Sequence, residues 1–213
     1  WACWKTYLGR PEAETTRCCA MSLLANGLDA AKHHEDALSV QEAELSMERR
    51  LGASEETLLA VQSNLASTYF ALGRHEEALS MKRDVYSGRL KLHGEEHDKT
   101  LRAANNYACS LSQLKRIEEV KSLLRKMTPV ARRVLGDNND MTLRMRWNYG
   151  DALWGDPGAT LDDVREAVTT LEDIEPIARR VLGGAHPTVV SIADDLRAAR
   201  AALDARETPS RSK

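Results

Sequence analysis

The stretch Asn64-Leu65-Ala66-Ser67-Thr68-Tyr69-Phe70-Ala71-Leu72-Gly73-Arg74-His75-Glu76-Glu77-Ala78-Leu79 decides the reading of the chain. Apolar residues at Leu58, Val61, Leu65, Ala66, Tyr69 and Leu72 lie three or four apart, the spacing of one helix face. The pattern predicts a helix from about Thr57 to Leu72. Gly73-Arg74 breaks it. A second helix is expected from near His75 toward Gly94, carrying Ala78, Leu79, Met81, Val85 and Leu90. The unit is therefore a helix–turn–helix hairpin of about forty residues.

That unit recurs. Tyr7-Leu8-Gly9, Arg50-Leu51-Gly52, Leu92-His93-Gly94, Val134-Leu135-Gly136 and Val181-Leu182-Gly183 place glycines 43, 42, 42 and 47 residues apart. Thr15, Thr57, Thr100, Thr142 and Thr188 follow five to six residues later, and Asn64, Asn106 and Asn148 twelve residues after three of the glycines. Three markers in one register define an internal repeat. One hairpin cannot bury its apolar face alone, but stacked neighbours can. The glycines suit the position just past a helix end, where positive φ is needed. Arg49-Arg50, Arg89, Lys91, Arg132-Arg133 and Arg179-Arg180 precede them, as suits the negative end of a helix dipole. Glu55-Glu56, Glu76-Glu77 and Glu118-Glu119 fall near helix starts for the converse reason. His186-Pro187 suits a helix start, with proline at the first helical position.

Composition narrows the classes. Among 213 residues, 30 are Lys or Arg and 32 Asp or Glu, a formal net charge of -2. That balance argues against a nucleic-acid protein driven by bulk charge. Hydrophobic residues make up 42%, enough for a core and against disorder. No 18-residue stretch lacks charge, so no membrane span is expected. Trp1-Ala2-Cys3-Trp4-Lys5 has no basic start followed by an apolar run, so no secretory leader is expected. The chain opens without Met and reads as a piece of a longer protein. Cys18 and Cys19 are adjacent and Cys3 and Cys109 isolated. They read as reduced thiols, mostly packing residues, in a cytoplasmic protein.

The quoted stretch resembles a tetratricopeptide repeat. The 42-residue period, with His97-Asp98-Lys99-Thr100-Leu101, Asn105-Asn106-Tyr107-Ala108 and Leu182-Gly183-Gly184-Ala185-His186-Pro187, resembles the long repeats of kinesin light chains and nephrocystin-type proteins. The resemblance covers roughly residues 8 to 203. It implies an all-α fold, a right-handed α-solenoid of about four tetratricopeptide helix hairpins plus a C-terminal capping helix. The expected array spans 1–205 and starts mid-repeat. Its units are approximately 15–52, 57–94, 99–136 and 141–183, with a cap helix at 187–205 and a disordered tail at 206–213. Trp1 to Leu8 looks like the end of a second helix. The heptads that join kinesin light chains to their heavy chains are absent from this sequence. About five inserted residues at Trp154-Gly155-Asp156-Pro157-Gly158-Ala159 should lengthen one inter-helix loop. Asp194-Asp195 stands where other units have Asn, and this final helix reads as a polar, solubilising cap.

In such arrays the first helix of each pair lines the concave groove, and the resemblance points Asn64, Asn106 and Asn148 into it. Arg102 and Arg144 lie one turn earlier, Ser63, Asn105 and Trp147 one residue earlier, and Ser67, Cys109 and Asp151 one turn later. The candidate peptide-binding residues are Asn64, Arg102, Asn105, Asn106, Arg144, Trp147, Asn148 and Asp151. Asn offers a donor and an acceptor to a peptide backbone. Arg can fork onto a carboxylate, and Trp is a common interface anchor. The matching partner is a protein presenting a linear peptide with acidic and aromatic or aliphatic side chains. Each residue also has a structural alternative. Asn can bond a neighbouring helix, the arginines can be solvated, and Trp147 can pack between repeats.

No catalytic constellation is present: no G-x-x-x-x-G-K, G-x-S-x-G, H-E-x-x-H or EF-hand loop. His33-His34-Glu35-Asp36 aligns with Gly73-Arg74-His75-Glu76 and reads as an inter-helix turn. Gly94 separates His93 from His97, so these two are not expected to share a face. The sequence implies no metal, no cofactor, no small-molecule substrate, no nucleic acid and no membrane. The expected function is a non-enzymatic scaffold or adaptor. The alternatives are a regulatory array of a larger NTPase or kinase, or a purely architectural stack.

Overall fold

The computed structural model of the chain describes residues 14–208, and their regular structure is α-helical. The described helices are α1 (Glu14–Ala30), α2 (His34–Arg50), α3 (Glu55–Ala71), α4 (His75–His93), α5 (Asp98–Gln113), α6 (Ile117–Leu135), α7 (Asp140–Trp154), α8 (Leu161–Leu182) and α9 (Pro187–Glu207). They fall into two compact units, one ending at Leu92 and one beginning at His93. Trp1 to Leu8, Cys3, Gly9 and residues 209–213 lie outside the described residues.

In the N-terminal unit, Leu38, Leu45, Val61 and Leu65 form a core on which Leu58, Tyr69, Leu72 and Met81 pack. Ala78 is fully buried in α4. In the C-terminal unit, Leu143, Leu171, Ile174, Val189 and Ile192 form a larger core, joined by Trp147 and Trp154 from α7. The helices start where the local chemistry caps them. Ser54 accepts from the Thr57 backbone N–H at 3.2 Å, Asn139 from Met141 at 2.9 Å, and His186 from Thr188 at 3.2 Å, with Pro187 at the first helical position. Gly136 and Gly183 end α6 and α8 at φ +84° and +88°. Arg132-Arg133 and Arg179-Arg180 occupy the last turns before them. Arg132 is held by Asp137, Arg133 by Glu96 and Arg180 by Asn138, so these pairs are engaged helix-end charges.

The inserted residues divide between a loop and a helix. Residues 155–160 separate α7 from α8, twice the three-residue turns 31–33, 72–74 and 114–116, and α8 has 22 residues against 19 in α6. Thr160 and Asp163 form a reciprocal capping box at the start of α8. Buried Lys121 of α6 donates to Asp156 at 2.9 Å and to Glu118 at 3.0 Å. Burial works against the Lys121 charge, yet these hydrogen bonds hold its pKa above the ordinary lysine value. Asp156, which accepts from the Gly158 N–H and from Lys121, is held below the usual carboxylate range. The loop is pinned to α6 by this pair, because Glu118 is exposed and Asp156 is the better-shielded counter-charge for buried Lys121.

Three expectations change. Residues 206 and 207 belong to α9 and not to a tail: Glu207 pairs with Arg165 at 2.8 Å, and Arg206 donates to the Ala159 carbonyl at 2.8 Å. His93 and His97 do come together, their rings stacked with centroids 4.2 Å apart, because the turn at Gly94 folds one back over the other. Of the described cysteines, Cys18 is buried, whereas Cys19 and Cys109 are exposed and are not packing residues.

Where Gly73 takes φ +76° in the turn of the second hairpin, Lys32 takes +63° and Lys115 +58° in the first and third. A left-handed residue with a Cβ is strained by about 1–2 kcal/mol. Lys32→Gly should therefore raise stability by up to about 1 kcal/mol after the greater freedom of glycine in the unfolded chain is counted, read as a higher melting midpoint. Ala78→Asp should lower stability by about 3 kcal/mol or more, because a carboxylate would enter a fully closed helix contact. A melt unchanged by Ala78→Asp would contradict this packing.

Candidate functional site

In the C-terminal unit the first helices of successive repeats, α5, α7 and α9, touch one another directly. A ladder of side chains crosses them. Asn148 of α7 donates through Nδ2 to Asn105 Oδ1 of α5 at 2.9 Å and approaches Cys109 Sγ at 3.4 Å. One repeat further on, Trp147 Nε1 of α7 donates to Asp195 Oδ2 of α9 at 2.6 Å. The two rungs have one register. Asp195 stands 47 residues after Asn148, and Trp147 stands 42 after Asn105, so the insertion displaces the chain but not the contact. In the N-terminal unit the partner position for Asn64 is Met21, a buried apolar residue, and Asn64 is left exposed.

The sequence-predicted residues therefore separate. Asn105 is buried at 7% exposure and bridges helices, so it lies beneath the surface. Asn106 is exposed beside it. Trp147 is half-buried, packs on the core, and offers its N–H to Asp195. Arg102 and Arg144 are held by their own helices, Arg102 Nε to Asp98 at 2.9 Å and Arg144 Nε to Asp140 at 2.9 Å, each four residues earlier. Their charges are locally compensated, which removes the basis for expecting an acidic partner.

Asp195 is the residue whose role the sequence reading missed. In the sequence it stands in the Asn register and reads as part of a solubilising cap, yet it is half-buried and bonded across to α7. The signal available was its place in the Asn register. Burial raises its pKa; the Trp147 hydrogen bond opposes that and Asp194 adds to it. Asp151, one turn beyond Trp147 on α7, is also half-buried. Burial raises its pKa, the negative charge of Asp195 raises it further, and Lys115 opposes. Among the described residues the Asp151 carboxylate has no hydrogen-bond or ion-pair partner. Such a group destabilises the fold when ionised.

Helix hairpins that recur along the chain and pack on one another within each unit define an all-α helical repeat solenoid. Residues 57–129 match the family model described as tetratricopeptide repeat, so this part of the chain carries tetratricopeptide repeats. Among curated proteins none matches the chain by sequence. Among solved structures it is similar to the nearly identical TPR-like repeats of a Podosopora anserina protein ascribed to the kinesin light chains. That structure has a TM-score of 0.74 and 22% identity, and the match covers 90% of this chain and 89% of that one. It is also similar to BtubC (BKLC) from P. vanneervenii, with a TM-score of 0.69, 19% identity, and 98% and 90% coverage. The apo form of RapI aligns with a TM-score of 0.61 and 12% identity over 94% of this chain and 74% of that one. At these identities the likeness is one of fold. No described helix is long and apolar enough to cross a membrane.

A carboxyl whose folded pKa is raised binds its proton more tightly in the folded state, so its contribution to stability is lost as pH rises through that pKa. Asp151→Asn should thus be more stable than the wild type at pH 7, by up to about 1 kcal/mol, with the difference shrinking toward pH 4. Paired thermal melts across that range would measure it, and a lower midpoint at pH 7 would show an ion pair at Asp151.

Proposed function

We propose that the chain is a non-enzymatic interaction scaffold that holds a linear peptide along the face of α5, α7 and α9, in the manner of a kinesin-light-chain-like groove. One observation carries the reading: Asp151 keeps a half-buried carboxylate with no partner among the described residues, on the helix face that repeat arrays present to ligands. Packing alone would favour a neutral residue there, and binding sites are where stability is given up. Asn106 stands exposed on the same stripe, with a free donor and acceptor for an extended backbone. Asn148 contributes its carbonyl oxygen, since its amide is engaged by Asn105. The partner is a protein rather than a nucleic acid, a membrane or a small-molecule substrate, in keeping with the balanced charge. The thiols of Cys18 and Cys19 support a cytoplasmic setting.

The test is a peptide-display selection on the wild type beside the Asn106→Ala/Arg144→Ala/Asn148→Ala triple variant. The triple variant should lose about 1 kcal/mol of stability through the Asn148–Asn105 bond and remain folded. Peptides enriched on the wild type should bind it at least about tenfold more weakly. A folded wild type that enriches nothing would remove the proposal.

A further inference from the structure

The charge on this face is uneven. Arg102 and Arg144 are each neutralised by an aspartate one turn earlier on the same helix, and Asp194 is neutralised by Arg197 at 2.8 Å. Two carboxylates then have no ion-pair partner among the described residues: Asp151 on α7 and Asp195 on α9. Asp195 is fixed in place by the Trp147 N–H at 2.6 Å, and Asp151 follows Trp147 by one turn of α7, so the negative charge of Asp195 bears on Asp151. Lys115, exposed in the turn after α5, offsets part of this charge but makes no ion pair with Asp151.

Resting on the peptide-binding reading, we propose that this face selects a basic side chain, Arg or Lys, which the bound peptide seats between Asp151 and Asp195 beside Trp147. A guanidinium or ammonium group would supply hydrogen bonds to a carboxylate that has none among the described residues, and would relieve the repulsion between the two acids. Arg is the better fit, because its donors diverge in a plane and can reach a carboxylate on each helix while an exposed backbone is held by Asn106. A divalent metal fits less well. Calcium takes six or more oxygens, and the described residues contain no group of three or more His, Cys, Asp or Glu side chains able to hold an ion. The preference is the reverse of the acidic partner that Arg102 and Arg144 suggest when read as free charges.

The experiment starts from a random extended-peptide display library, selected on the wild-type chain. Enriched peptides should share Arg or Lys at one fixed position. Synthetic, fluorescently labelled copies are then titrated onto wild type, Asp151→Asn and Asp151→Asn/Asp195→Asn. Asn at 195 keeps an acceptor for the Trp147 N–H while removing the charge. Replacing the shared basic residue with Ala should weaken binding to wild type at least about tenfold, and the double variant should bind the basic peptide about tenfold more weakly while binding the Ala peptide as wild type does. Asp151→Asn alone has no hydrogen bond to lose among the described residues and keeps the test decisive should the double variant unfold. Enrichment of acidic or uncharged peptides overturns this inference and leaves the peptide-binding reading standing. Binding of the basic peptide unchanged by Asp151→Asn likewise overturns it. No enrichment on folded wild type overturns both.

Discussion

Close contact between helices at side chains no larger than a methyl group sets the geometry on which the site depends. Ala37, Ala66 and Ala78 in the N-terminal unit, and Ala104, Ala108, Ala131, Ala167 and Ala178 in the C-terminal unit, are all fully buried. At such positions two backbones approach closely, and larger residues such as Leu65 and Leu171 interlock on either side. At Gly150 even a Cβ would meet Leu171 Cγ at 3.1 Å, which shows how tight the α7–α8 contact is. With few aromatic side chains to hold helices apart, the first helices of neighbouring repeats come near enough for Asn148 to reach Asn105 and for Trp147 to reach Asp195.

That spacing gives the polar ladder two roles. Each rung satisfies a polar group that the contact would otherwise bury alone, and each rung presents the residue next to it outward. Asn105 and Asn148 hold the α5–α7 rung and leave Asn106 exposed. Trp147 and Asp195 hold the α7–α9 rung and leave the Asp151 carboxylate without a hydrogen bond among the described residues. The insertion between α7 and α8 does not disturb this register. Its extra residues are taken up by a loop pinned through Lys121 and by added length in α8.

The charges follow the same local logic. Many arginines of the C-terminal unit close short-range pairs, as Arg116 does with Glu119, Arg179 with Glu175 and Arg197 with Asp194. Exposed pairs of this kind contribute little to stability, but they decide which charges remain to act on a partner. Arg102 and Arg144 are removed from that set by Asp98 and Asp140. Asp151 and Asp195 stay in it, so the charges left without an ion pair on this face, among the described residues, are acidic.

The sequence by itself determined the repeat, the hairpins and their capping, because these depend on contacts a few residues apart. The spacing of glycines, the threonine in the first turn of each first helix and the apolar period each report a local geometry that any stacked neighbour must share. It also placed Asn106, Asn148, Trp147 and Asp151 on one stripe, since helix periodicity is local too. It could not show that Asn105 lies beneath that stripe, that His93 and His97 stack across Gly94, or that Asp195 accepts a hydrogen bond from Trp147 across two helices. Those outcomes depend on which residues meet across 40 or more positions of chain, or around a turn, and burial and pairing are set there. Only the tertiary structure decided which charges are spent within a helix and which are left between helices, because a carboxylate's partner is chosen by distance in space and not by its place in the repeat.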